Sequence, residues 1–154
     1  MSVDIGLNKS ERAASIDALR KVLGETYALY FKTHGYHWNV TGPRFKALHE
    51  LFMQQYTELW QALDELAERI RALGEFAPAS SDELASYATI KPDNGVPDAE
   101  DMITNLVRGH EILAQVAKDG VKVAEEGDDA VTADLLTQRA AAAEKSAWML
   151  RASL

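Results

Sequence analysis

Four residues of this chain have the types and spacing to hold a metal ion: His37, His49, Asp64 and Glu68. Imidazole and carboxylate together suit Fe(II) or Zn(II). The sequence has no cysteine, which excludes a thiolate site, a disulfide framework and a cysteine nucleophile. Asp64 and Glu68 are one helical turn apart and can share one cation. His49 and Asp64 are separated by about 22 Å along a helix axis, far more than metal bonds of ~2 Å can bridge within one chain. No glutamate is followed by histidine three residues later, so the Glu-x-x-His pairs of a di-iron site inside a helical bundle are missing.

Two copies of the helix bearing these residues resolve the distance. If they pair antiparallel about a twofold axis near Tyr56–Thr57, His49 of one copy meets Asp64 of the other, and the contact generates two equivalent sites. A hairpin at Gly42 also returns His37 alongside His49. Two imidazoles from one chain and two carboxylates from the other then form an N/O site. The same spacing equally fits histidines packed in an interface and a solvated acidic face. His34 and His110 have no acidic partner at ligand spacing and read as packing residues.

The elements that must position these groups are helices. A stripe of Ile16, Leu19, Leu23, Tyr27, Tyr30, His34 and His37 predicts a helix from about 9 to 40, opened by a capping box of Asn8 and Glu11. A second stripe, Phe45 to Leu73, predicts a helix starting near Pro43, where proline costs no hydrogen bond, and stopping at Gly74. Residues 74–97 carry three of the four prolines and read as crossover chain, with one short helix starting at Ser81. Asp98 caps a helix to about Glu126, and another begins near 128–130 and runs almost to the end. Two short hairpin loops flanking one long crossover is the pattern of ferritin-like bundles. Extended at up to ~3.3 Å per residue, the crossover can retrace a helix of about 45 Å, so the helices on either side of it can run parallel. A plain bundle with one decorated loop fits the same periodicity. With 47% hydrophobic and 26% charged residues and no break in composition, the chain reads as one domain over 1–154.

The stretch KTHGYHWNVTGPRFKALHELF (Lys32–Phe52), LDELAERIRALG (Leu63–Gly74), EEGDDAVTADLL (Glu125–Leu136) and Trp148 together resemble the Dps family, the miniferritins (DNA-binding proteins from starved cells). The resemblance implies an all-α, ferritin-like four-helix bundle with a short helix in the long crossover between helices two and three. It implies a hollow dodecamer, built from twofold dimers, that oxidises Fe(II) with hydrogen peroxide or oxygen and stores ferric mineral. It carries the iron-ligand role to His37 and His49 of one subunit and to Asp64 and Glu68 of the other, a site that zinc also fits. Trp38 matches a tryptophan beside that site, positioned to intercept oxidising equivalents or to fill the interface. Asp128, Asp129 and Asp134 match the acidic lining of iron-entry pores, though they also suit a helix N-terminus. The family has a further acidic residue four positions after the second histidine. Here that position is Met53, a poor ligand for hard iron.

Three function classes follow: a ferroxidase, a DNA-compacting protein, and a metal-binding cage with weak catalysis. A net charge of −8 disfavours general nucleic-acid affinity, and Met1–Asn8 contains no Lys or Arg while Arg151–Leu154 contains one. DNA binding is therefore expected to be weak or missing. No apolar run approaches the ~20 residues of a membrane span, so the expected location is cytoplasmic, at the nucleoid only if DNA is bound.

Overall fold

The computed structural model describes residues 2–154. Five helices follow in order: α1 (Lys9–Asn39), α2 (Phe45–Ala72), α3 (Ser81–Ser86), α4 (Ala99–Glu126) and α5 (Ala130–Arg151). Among the described residues there is no strand, and no helix is long and apolar enough to cross a membrane.

Local chemistry sets the boundaries. At the start of α1, Glu11 N–H donates to Asn8 Oδ1 at 2.9 Å, and Asn8 N–H donates to Glu11 Oε2 at 2.7 Å, which satisfies two otherwise free donors reciprocally. The expectation that α2 begins at Pro43 is corrected by two residues. Phe45 N–H donates to Gly42 O, so Pro43 occupies the second position of a β-turn, where its fixed φ is equally suited. α2 ends in a Schellman motif: Gly74, at φ 105°, donates to Arg71 O, and Glu75 donates to Ile70 O. A side chain at Gly74 would also place its Cβ 2.8 Å from Val3 Cγ2.

Contacts along the helices give their directions. α1 runs antiparallel to α2, since Tyr30 faces Tyr56 while His37 faces His49. It is also antiparallel to α4, because Gly120 lies against Ala18, Gly109 against Leu29, and Asn105 donates to the Tyr36 hydroxyl. α2 and α4 are therefore parallel to each other, which forces the long crossover between them. α5 completes the bundle antiparallel to α2, with Arg69 bonded to Thr132 near one end and Gln55 to Ser146 towards the other. Phe52, Leu59, Leu66, Met102, Ile103, Leu113 and Leu136 fill one continuous core. The crossover is pinned to α1 by Glu25, whose buried carboxylate accepts from Thr89 N–H, Thr89 Oγ1 and Ile90 N–H at 2.6, 2.6 and 3.1 Å. Three donors offset the cost of burying that charge.

Candidate metal centre

The α1–α2 hairpin brings His37 and His49 face to face, with ring centroids 3.7 Å apart and planes 14° from parallel. Each Nδ1 reaches the other residue's backbone carbonyl, His37 to His49 O at 2.6 Å and His49 to His37 O at 2.7 Å. A carbonyl oxygen only accepts, so both Nδ1 atoms carry the ring proton. In the neutral rings both Nε2 atoms are then lone-pair donors, oriented by backbone in the manner typical of metal-binding histidines. Phe45 lies against His49 at 5.0 Å, and His37 is buried.

Asp64 and Glu68 lie further along α2, both exposed and one turn apart. Among the described residues of a single chain, no three His, Asp or Glu side chains converge. The histidine pair is brought together; the carboxylates are not brought to it. Between them α2 presents Met53 and Trp60, 43% and 60% exposed, with Phe45 and Trp38 beyond. Among the described residues, no element covers this apolar band on the outer side of the hairpin.

The hairpin adds a group of rings that spacing alone did not single out. His34 stacks on Tyr56 at 3.8 Å and 10°, and its Nδ1 lies 3.0 Å from the Tyr30 hydroxyl. Burial, followed by the neighbouring His37, lowers the His34 pKa. Burial, with Tyr56 and Tyr27 nearby, raises that of Tyr30. Both are therefore neutral at pH 7. Trp38 packs on His34 at 4.4 Å. The signal was present in the i, i+4 spacing of Tyr30 and His34, but only the hairpin register adds Tyr56.

The three acidic residues at the α4–α5 turn have separate fates. Asp129 is 2% exposed; it caps α5 by accepting from Thr132 N–H and pairs with Arg69 at 2.8 Å. Burial pushes its pKa up, but hydrogen bonding from Thr132 and the charge of Arg69 more than reverse this, leaving it below the usual carboxylate value. Asp128 is exposed at φ 55°, the left-handed position after a helix end. Asp134 is exposed and accepts from Gln138 at 2.8 Å.

His110 is 1% exposed, on α4, with neither ring nitrogen hydrogen-bonded. Burial, then the charge of Arg139, pushes its pKa down to about 3. Arg139 is bidentate to Glu58 across the bundle. Arg139 on the inner side of an otherwise Ala-rich α5 was the sequence signal for this polar interior.

A ferritin-like domain family matches residues 16–154. A low temperature-induced protein of Nostoc sp. is 40% identical over 151 residues, covering 97% of this chain and 84% of that protein. DNA protection during starvation protein 2 of Bacillus anthracis is 37% identical over 139 residues, covering 90% and 95%. The crystal structure of a Dps protein from Vibrio cholerae O1, described as a member of the ferritin-like diiron-carboxylate proteins, superposes with a TM-score of 0.92 at 33% identity, covering 99% and 96%. With the fold, the crossover and the hairpin in agreement with these matches, the chain belongs to the Dps family of ferritin-like proteins.

Proposed function

We propose that this chain sequesters iron: it oxidises Fe(II) with hydrogen peroxide, or oxygen, at sites shared between two copies and stores the ferric product inside a closed homo-oligomeric shell of twelve chains in the cytoplasm. The observation that carries this reading is the reciprocal His37–His49 pair. Its two Nδ1 protons are committed to backbone carbonyls, so both Nε2 atoms are available to a cation.

The uncovered band on α2 supports a second copy. Pairing α2 with its twofold mate about Tyr56–Thr57 sets His49 opposite Asp64, Met53 opposite Trp60 and Phe45 near Glu68. The apolar groups are buried at the centre, and two equivalent sites form at the ends. His37 and His49 then supply nitrogen ligands, and Asp64 and Glu68 of the second copy supply oxygen ligands and negative charge. Zn(II) suits the same donors and would compete for them. Trp38, lying against His34 at the rim, is placed to intercept stray oxidising equivalents. Asp128 and Asp134, both exposed, would concentrate Fe(II) at an entry pore by their field; Asp129 is committed to its cap and to Arg69.

Met53 supplies no anion where the family has an acidic residue. A first iron has two imidazoles and two carboxylates, whereas a second lacks a terminal or bridging charge, so one strongly held iron per site is expected. DNA compaction has weaker support. Of the sixteen Lys and Arg residues, seven are ion-paired within the chain.

The test is direct. Metal-free protein mixed anaerobically with Fe(II) and then peroxide should develop ferric absorbance within the particle, and it should sediment as about twelve chains. A stable monomer that held iron through His37, His49, Asp64 and Glu68 would refute the shared site.

A further inference from the structure

The rings beside the histidine pair form a continuous path. Tyr56 meets His37 edge-on at 5.2 Å and stacks on His34 at 3.8 Å. Tyr30 meets Tyr56 edge-on at 6.3 Å, and its hydroxyl lies 3.0 Å from His34 Nδ1. Tyr30 is thus one ring removed from a proposed iron ligand, and touching π systems pass electrons readily. A phenol surrenders an electron easily only if its proton leaves at the same time, because the phenol radical cation is a very strong acid. Among the described residues, Tyr30 is the ring of this group with a basic nitrogen at hydrogen-bond distance of its hydroxyl. Trp38 is 58% exposed and has no hydroxyl to give up.

We propose that Tyr30 is an electron donor to the iron site, with His34 as the acceptor of its proton and Tyr56 as the ring that carries the electron. This rests on the peroxide-dependent iron oxidation proposed above. Hydrogen peroxide needs two electrons and two protons to become two waters, and one Fe(II) supplies a single electron. Tyr30 supplies the other. Its O–H bond breaks, the proton moves to His34 Nδ1, the electron crosses Tyr56, and a neutral tyrosyl radical is left opposite a protonated imidazole. The two protons consumed by peroxide come from solvent. A later Fe(II) reduces the radical, and His34 returns the proton to the phenol oxygen. The sum is two Fe(II) oxidised per peroxide, with no hydroxyl radical released, at a site that holds one iron at a time. Met53 makes such a device useful, because the second electron need not wait for a second bound iron.

The experiment loads the assembled, metal-free protein with one Fe(II) per chain without oxygen, mixes it with one equivalent of peroxide, and divides the reaction between stopped-flow absorbance and freeze-quench electron paramagnetic resonance. The expected result is ferric absorbance together with a tyrosyl signal that narrows in protein grown on ring-deuterated tyrosine and vanishes on adding more Fe(II). Tyr30→Phe should lose the signal, still bind one iron per chain, and release hydroxyl radical to a spin trap. His34→Phe keeps a ring on Tyr56 but no base, and should reduce the signal, whereas Trp38→Phe should keep it. A tyrosyl signal that survives Tyr30→Phe overturns the assignment. So does ferric absorbance with no radical in the parent protein, an outcome that leaves the iron-oxidation reading intact. Failure to form ferric iron at all would overturn both.

Discussion

His110 makes the stability of this protein depend on pH in a way that can be isolated. Its ring is held neutral inside the bundle, with a pKa of about 3 against an ordinary 6.5. The cause is burial first and then Arg139, whose charge is itself paired with Glu58. Between these two values the unfolded chain binds a proton that the folded chain refuses, so stability falls as the pH falls. The whole interval corresponds to about 5 kcal/mol at ~1.4 kcal/mol per unit. By pH 5 roughly 2 kcal/mol of it should be lost relative to pH 7. His110→Leu removes the titration and orphans nothing, because neither ring nitrogen has a partner. At pH 7 that variant should be as stable as the parent or more so by about 1 kcal/mol. The assay is denaturant unfolding of both proteins at pH 7 and pH 5, metal-free and at one protein concentration, followed by tryptophan fluorescence. Carboxylates that titrate over the same range affect both proteins alike and cancel in the difference. If parent and variant lose the same stability between pH 7 and pH 5, His110 is not a buried neutral base and the reasoning fails.

Other substitutions probe the remaining parts. Met53→Glu should add a second metal per site and speed peroxide-driven oxidation by roughly 10-fold or more, while His49→Ala and Asp64→Ala slow it comparably; a parent-like rate for Met53→Glu beside a slow His49→Ala would show that the missing charge is immaterial. Asp129→Ala should cost about 2–3 kcal/mol in thermal or denaturant unfolding, since it removes a cap and strands the largely buried Arg69. Asp128→Gly should gain up to about 1 kcal/mol by relieving a positive φ, and equal effects at the two neighbours would contradict their assigned roles. In a gel shift near physiological salt without divalent ions, the protein should not retard DNA; tight binding there would reveal a cationic surface that the net charge conceals.

The helices were legible because their signals are local. Asn8 with Glu11, Asp98, Gly74 and the apolar stripes each act within a few residues, and the boundaries they predict hold to within two residues. The parallel course of α2 and α4 was legible as well, because a crossover with three prolines has few other uses in a helical chain. Pro43 was misplaced because a helix start and a β-turn ask for the same φ, and only the Phe45-to-Gly42 hydrogen bond separates them. Asp129 carried two readings, pore and cap. Its burial depends on Arg69, sixty residues earlier, which no local pattern encodes. His34 and His110 are alike by spacing, since neither has an acidic partner at ligand distance along its helix. One is stacked in an aromatic group beside the histidine pair, and the other is sealed next to a guanidinium. That distinction comes from packing between helices, not from either helix's own sequence.

The polar interior also bears on where the proposed iron site lies, on the outer side of this bundle. A cation placed among α2, α4 and α5 would meet the fixed charge of Arg139, whose carboxylate partner Glu58 is already engaged at both oxygens. His110 is there, but a single imidazole beside a guanidinium is a poor start for a metal site, and Gln55 brings no charge. The α1–α2 hairpin offers the reverse: two imidazoles with their protons directed into backbone carbonyls, and no cation between them. What that surface lacks is negative charge within bonding distance. The chain carries that charge about four helical turns away on the same helix, and in the proposed pairing the twofold mate of α2 would bring it back.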